Sequence, residues 1–345
     1  MSAKKNDTKK YVLLIILLSA GLFFSLFLCL SIGSAKLSFS EVLSILKGEH
    51  DDAALAGMSS IILDIRLPRV LGAALFGGAL SLSGYLLQVF FQNPLAGPYV
   101  LGISSGAKLF VAMLMIALLS NGSVMSAGMS VAAAFFGSLL SMGVVLLLSL
   151  RVKTMSILII CGVMIGYICS AITDLIVTFA SDSDIVNLHN WSLGSFSGLS
   201  SENVLLSAAL ILIAFVAVLF MSKPIFAFSL GETYAKSVGV NIKLLRVLLI
   251  LFSSLLSAVV TAFAGPVSFV GIAVPHLARL FTKTMKPLVM IPVSFLLGAI
   301  VTLFCDTIAR SAFSPTEVSV SSVTAVGLVP IVIFLLLRGK GARHE

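Results

Sequence analysis

Arg66 to Ala107 reads RLPRVLGAALFGGALSLSGYLLQVFFQNPLAGPYVLGISSGA, and this stretch decides the fold. Arg66 and Arg69 bracket a proline, and an apolar run follows that is crowded with small residues, among them Gly72, Gly77, Gly78 and Gly84. A polar loop at Gln92, Asn93 and Pro94 interrupts it, and Gly97 to Ala107 opens a second apolar run. The first run exceeds the roughly 20 residues that carry a helix across about 30 Å of hydrocarbon. Pro68 suits a first helical turn, where its missing N–H costs nothing. Glycines on such a helix let its neighbours approach closely. Two membrane helices joined by a short polar turn are predicted.

The same pattern fills the chain. Its 345 residues are 59% hydrophobic and 10% charged, a composition too apolar to clothe a soluble core. The mean hydropathy is +1.15. The apolar runs are continuous and do not alternate, which excludes a β-barrel. The expected fold is an all-α polytopic membrane protein, a single domain over 1–345. Ten spans are predicted, near 11–33, 66–90, 97–119, 125–150, 155–179, 203–222, 241–263, 269–283, 287–307 and 320–338. The eighth reaches only about 22 Å, so it is short, tilted or part of a broken helix. Lys4, Lys5, Lys9 and Lys10 precede the first span as in a signal peptide, but its core is too long for one, and an uncleaved helix is expected. Residues 34–61 carry Phe39, Leu43 and Leu46 in a helical pattern that suits a surface helix, and 181–203 is too polar to span. Cys29, Cys161, Cys169 and Cys305 lie in apolar spans without metal-ligand spacing, which points to packing.

Charge gives the orientation. With the N-terminus inside, one set of ends holds most of the lysines and arginines, including Arg151, Lys153, Lys223, Lys236, Lys243, Arg246, Arg279, Lys283 and Lys286. The other holds Glu41, Glu49, Asp51, Asp52, Asp64, Asp182, Asp184, Glu202, Asp306 and Glu317. Basic loops are cytoplasmic, so both termini are expected inside. The net charge of +8 follows from this asymmetry and requires no nucleic acid. Arg66, Arg69 and Arg310 break the pattern by sitting at external ends. Capping of a helix C-terminus suits Arg310. It suits Arg66 and Arg69 poorly, because they precede their helix. A basic external rim would instead orient an acidic partner.

An internal echo accompanies these spans. Ala96-Gly97-Pro98 leads to Gly102-Ile103, and Ala264-Gly265-Pro266 leads to Gly271-Ile272, at opposite ends of their spans. Opposite sidedness is what an inverted repeat predicts.

Four strings carry a family resemblance over nearly the full length. They are the opening stretch, SLGETYAKSVGVN from Ser229 to Asn241, AGPVSFVGIAVPHLARL from Ala264 to Leu280, and the closing segment from Asp306 through Ala309-Arg310, Pro315, Glu317, Thr324, Gly327 and Pro330. Together they resemble the FecCD (BtuC-like) permeases, membrane subunits of ABC importers for iron–siderophores, haem and cobalamin. The closing segment departs from the family pattern in its Thr324–Gly327–Pro330 spacing and at Val318-Ser319. The resemblance implies a type II importer fold with an inverted repeat, in the cytoplasmic membrane of a bacterium. It implies two permease subunits around a path, ATPases below and an extracytoplasmic binding protein above. Arg66, Arg69 and Arg310 match the family's docking arginines. Leu230, Gly231, Glu232, Ala235 and Gly239 match the segment that couples to the ATPase, where Glu232, Lys236 and Ser237 would share a surface and Ala235 would allow close approach. A merely solvated loop helix is the competing reading of that segment. Asn93, Pro94, Gly97, Gly102, Gly265, Pro266, Pro275 and His276 are the candidates for translocation and gating.

The chain contains no G-x-x-x-x-G-K-[ST], so ATP chemistry must come from a separate protein. No cofactor and no metal site is expected. His276 has no second ligand at suitable spacing, which favours a structural hydrogen bond. Lys108 and Asp174 are ionisable and lie in or near spans. They are the residues a proton- or sodium-coupled carrier, the alternative of a different class, would use. An intramembrane enzyme would need a paired catalytic constellation, which the sequence does not offer. Iron(III)–siderophore leads as cargo, then haem, then cobalamin.

Overall fold

The computed structural model describes residues 2–33, 39–48, 58–119, 126–152 and 155–341. Lys153, Glu49, Asp51 and Asp52, used above for orientation, lie outside the described residues. The described residues form helices joined by loops, running α1 (Ser2–Ser31), α2 (Phe39–Lys47), α3 (Leu67–Phe91), α4 (Ile103–Leu119), α5 (Ala127–Arg151), α6 (Met155–Val177) and α7 (Asp182–Ser192). It continues through α8 (Ser201–Phe220), α9 (Ser222–Ser229), α10 (Glu232–Ser237), α11 (Ile242–Ala264), α12 (Val270–Thr282), α13 (Pro287–Ser311) and α14 (Val320–Gly341). Among the described residues, seven helices are long and apolar enough to cross a membrane, and α4, α12 and α14 add three shorter apolar segments, in agreement with the ten predicted spans.

The stretch around α3 is the hub. Its apolar window is 89% buried against 11% for α1, so one is central and the other peripheral. α3 packs on α11, α12 and α13, while α4, α5 and α6 form a second group that joins α11 through α5. Small residues make this possible. A Cβ on Gly77 would strike the Gly298 carbonyl and Thr302 of α13, and one on Gly84 would strike the Gly271 carbonyl of α12. Removing side chains brings backbones into contact where apolar solvent gives no other driving force. The four cysteines are free, and Cys29, Cys169 and Cys305 are buried as packing predicted.

Three local expectations need correction. The second span does not begin at Pro68. A single helix runs from Met58 to Phe91, with a π turn over Ile61–Arg66. Proline removes one donor from the ladder and crowds the preceding turn. The Leu67 N–H reaches five residues back, to the Ile62 carbonyl, and this wider turn absorbs the proline. The third span loses its first residues to a separate 3₁₀ turn, Pro98–Leu101, ended by Gly102 at φ 72. The surface helix expected over 34–61 exists as α2, but Val42 and Ile45 are its buried residues, not Leu43 and the exposed Phe39. Over nine residues the apolar pattern fits two neighbouring phases, and packing chose between them. The short eighth span is confirmed as α12, 13 residues long.

Candidate transport site

The two Ala-Gly-Pro segments meet. Residues 265–269, between α11 and α12, are not helical, and such backbone survives at membrane depth only when its polar groups find partners. Here they do. The Ala264 carbonyl accepts from the Ser195 N–H at 2.9 Å, and the Pro266 carbonyl accepts from the Ser321 hydroxyl at 2.7 Å. The Ser268 carbonyl accepts from the Thr324 hydroxyl at 3.0 Å, and the Val267 carbonyl accepts from the Tyr99 hydroxyl. Tyr99 belongs to the 3₁₀ turn that follows the other Ala-Gly-Pro segment. Next to it, a Cβ on Gly271 would lie 3.0 Å from the Pro98 ring, and one on Gly97 would lie 2.6 Å from Ile272. Gln88 of α3 donates to the Ile272 carbonyl at 3.0 Å. Gly97, Gly102, Gly265 and Pro275 are buried here, whereas Asn93, Pro94, Pro266 and His276 are half-buried. Asn93 caps its own turn by accepting from the Leu95 N–H at 3.0 Å.

Beside this junction lies a groove of about 200 Å³, lined by Tyr99, Gly102, Ser105, Gly162, Gly166 and Ser170, with Val163 and Tyr167. Gly102 takes its left-handed conformation against α6, where a Cβ would come within 2.9 Å of the Gly166 nitrogen. The lining is neutral, made of hydroxyls, backbone, the Val163 side chain and the rings of Tyr99 and Tyr167. Asp174 is exposed near the end of α6, and Lys108 on α4 is half-buried.

The three arginines at the start of α3 and the end of α13 form a buried seam. Arg69 grips Asp306 through Nε at 3.1 Å and Nη2 at 2.8 Å, and it grips Glu317 through Nη2 at 2.5 Å and Nη1 at 3.2 Å. Arg310 lies 3.7 Å from the other oxygen of Asp306. The Asp306 side chain is 1% exposed, so this carboxylate depends on its guanidinium partners. Arg66 donates to the Leu30 carbonyl at 3.0 Å, and Arg310 donates to the Cys29 carbonyl. Both carbonyls belong to the last turn of α1, which lacks intrahelical donors and carries the negative end of the dipole. The capping role that the sequence allowed for Arg310 alone is shared by Arg66, and the helix capped is α1. The dipole objection to Arg66 and Arg69 fails as well, since their helix continues upstream. These side chains do not form an open rim.

The opposite end presents its motif. α10 is anchored by Ala235, which is fully buried, so its close approach is to the chain's own α9 and α11. Glu232 pairs with Lys236 at 3.3 Å and with Arg246 of α11 at 2.8 Å, as a shared surface required. The helix ends in a Schellman motif. Gly239 at φ 85 donates to Lys236 and Val240 donates to Ala235, at 3.1 and 3.0 Å. Leu230, Tyr234 and Val238, four residues apart, are 55%, 49% and 54% exposed. Tyr234 and Val238 lie about one helical turn apart and Leu230 precedes them across Gly231, so three exposed apolar side chains stand on an otherwise polar elbow.

Architecture and motifs point one way, and sequence comparison agrees. The profile of the FecCD transport family matches residues 21–338. The chain belongs to the FecCD transport family. It is similar to the vitamin B12 import system permease protein BtuC of Klebsiella pneumoniae, 36% identical over 280 residues, covering 81% of this chain and 83% of that one. A Methanocaldococcus jannaschii protein named as an ABC transporter permease is 33% identical over 343 residues, covering 97% of both. An inward-facing structure described as a metal-chelate type ABC transporter superposes with a TM-score of 0.82 at 27% identity, covering 94% of this chain and 99% of that one. This FecCD protein is a multi-pass permease of an ABC importer, with ATP hydrolysis in a separate subunit.

Sequence reasoning missed several residues of this FecCD permease. Tyr99, Ser195, Ser321 and Thr324 hold the broken backbone, and Asp306 and Glu317 neutralise Arg69. A tyrosine or a serine near a span carries no mark of the carbonyl it will serve. Asp306 and Glu317 had a signal: they stand within the motif that supplied Arg310. Tyr234 and Val238 also had one, their four-residue spacing from Leu230, which the coupling segment already included.

Proposed function

We propose that this permease passes an intact metal chelate through the membrane, with iron(III)–siderophore as the cargo. The observation that carries the reading is the neutral groove of Tyr99, Gly102, Ser105, Gly162, Gly166 and Ser170 beside the junction of the two backbone breaks. A chelate brings its own ligands to the metal, so the path needs no charged grip and works better without one. Hydroxyls and bare backbone offer weak contacts that a bulky polar cargo makes and leaves. Transport then rests on different contacts in two states of the permease.

The B12 permease among the relatives favours cobalamin as a second reading. Both cargoes are chelates, and haem stands third. Proteoliposomes containing this permease, its ATPase and its binding protein decide among them. ATP-dependent uptake of a ferric siderophore, with neither cobalamin nor haem taken up, is the expected result. Uptake of cobalamin alone would overturn the siderophore, and uptake driven by a proton or sodium gradient without ATPase would overturn the importer mechanism.

The partners follow the same reading. Both termini and the basic loops face the cytoplasm, and two permease subunits, identical or related, enclose the path. The ATPase seats the α10 elbow, with Leu230, Tyr234 and Val238 entering its cleft while Gly231, Glu232, Ala235 and Gly239 hold the elbow's shape. Arg66, Arg69 and Arg310 serve the binding protein. Held by the Leu30 and Cys29 carbonyls, Asp306 and Glu317, they would act from within the seam, fixing the end of the bundle on which it docks.

A further inference from the structure

The start of α1 and the C-terminal end of α12 flank a second cavity, of about 190 Å³. Its walls are Tyr11, Leu13, Leu14 and Leu17 of α1 and Phe281 and Thr282 of α12, and Lys10 stands on its lining. Exposed Lys9 precedes it, and exposed Lys283 and Lys286 follow the α12 wall. Lys286 lies 5.9 Å from the centre of the Tyr11 ring, which ties the two sides of the mouth together. Among the residues whose side chains are described, no carboxylate pairs with Lys9, Lys10, Lys283 or Lys286. The result is a greasy slot with Lys10 on its lining and Lys286 at its mouth, and with Lys9 and Lys283 adjacent in sequence to its walls.

We propose that this groove binds one anionic phospholipid, its headgroup phosphate among Lys9, Lys10, Lys283 and Lys286 and an acyl chain along Leu13, Leu14, Leu17 and Phe281. Charge and shape favour this occupant over the alternatives. A zwitterionic lipid would satisfy the walls and leave the cations unbalanced, and a soluble anion would satisfy the cations and leave Leu13, Leu17 and Phe281 uncovered. Basic pockets between membrane helices take anionic headgroups for this reason. The bound lipid straps the peripheral α1 to α12, the short helix that leads from the 265–269 break. Binding does not depend on which side of the membrane the groove faces, so this inference stands apart from the orientation proposed above.

The test uses the purified full-length chain, stripped of lipid in detergent and titrated with dioleoylphosphatidylglycerol, dioleoylphosphatidylcholine or inorganic phosphate. Bound lipid is counted by native mass spectrometry. One phosphatidylglycerol is expected to remain bound where phosphatidylcholine does not, with affinity falling about fivefold for each lysine changed to Gln. Arginine at all four positions should retain it. Leu17→Trp, at an exposed position that keeps every lysine, should weaken retention by narrowing the slot, and it serves if the Gln variant does not fold. Equal retention of phosphatidylcholine would overturn the proposal. So would displacement by millimolar phosphate, which would mark a soluble-anion site, or an equal loss when Lys223, Lys236 and Lys243 are changed instead.

Discussion

The two ends of this permease handle charge in opposite ways. At one, Arg69 and Asp306 turn their charges inward and bind α3 to α13, and Glu317, more exposed, reaches Arg69 from the segment that follows α13. At the other, Glu232, Lys236 and Arg246 lie near the surface around one buried methyl group, Ala235, and the apolar side chains face out. A buried ion pair fixes geometry because neither partner can leave without stranding the other. An exposed pair adds little energy and allows movement. The difference separates a clasp from a handle.

The contrast breaks most readily at Arg69. Arg69→Ala leaves Asp306 charged and enclosed, and should cost about 3–5 kcal/mol of stability. Adding Asp306→Asn should recover part of that loss, because the pair is coupled. Thermal unfolding of the purified variants measures both, and a double variant no more stable than the single would show that the clasp is not an ion pair. Gly239→Ala sharpens the other side. It forces a side chain into the left-handed conformation at a cost of about 1 kcal/mol, and hydrogen exchange should quicken at the Gly239 and Val240 amides while α3 stays protected. Tyr234→Ala should have the smallest effect on the fold, within about 0.5 kcal/mol. It should nevertheless lower substrate-stimulated ATP hydrolysis in the assembled transporter, and full stimulation would remove Tyr234 from the coupling surface.

Much of this was legible because hydropathy is a local signal. A span of 25 residues such as α13 announces itself whatever it packs against, and the lipid demands that its backbone be satisfied internally. Arg69 shows where that logic stops. Its charge and its place at a span end are plain in the sequence, but its partner stands 237 residues away, so a side chain clasped inside the bundle reads as a free cation. The π turn before Pro68 was hidden for a related reason. A proline announces a perturbed ladder without saying whether the helix begins there or widens to pass it. At α2 a helix was evident, but its face was set by what lay beneath.

Glycine and proline at residues 264–266 invite the idea of a swivel, and the hydrogen bonds argue otherwise. Ser195, Tyr99, Ser321 and Thr324 come from three separate parts of the chain and each fastens a carbonyl of the same short strand. Such a strand behaves as a keystone: α14 and the 3₁₀ turn must travel with it or lose their grip together. Freedom to bend lies instead at Gly231, whose φ of 121 sits in open space between α9 and α10. A stroke delivered to the elbow would thus be taken up at its own root and handed to a bundle that shifts as a block.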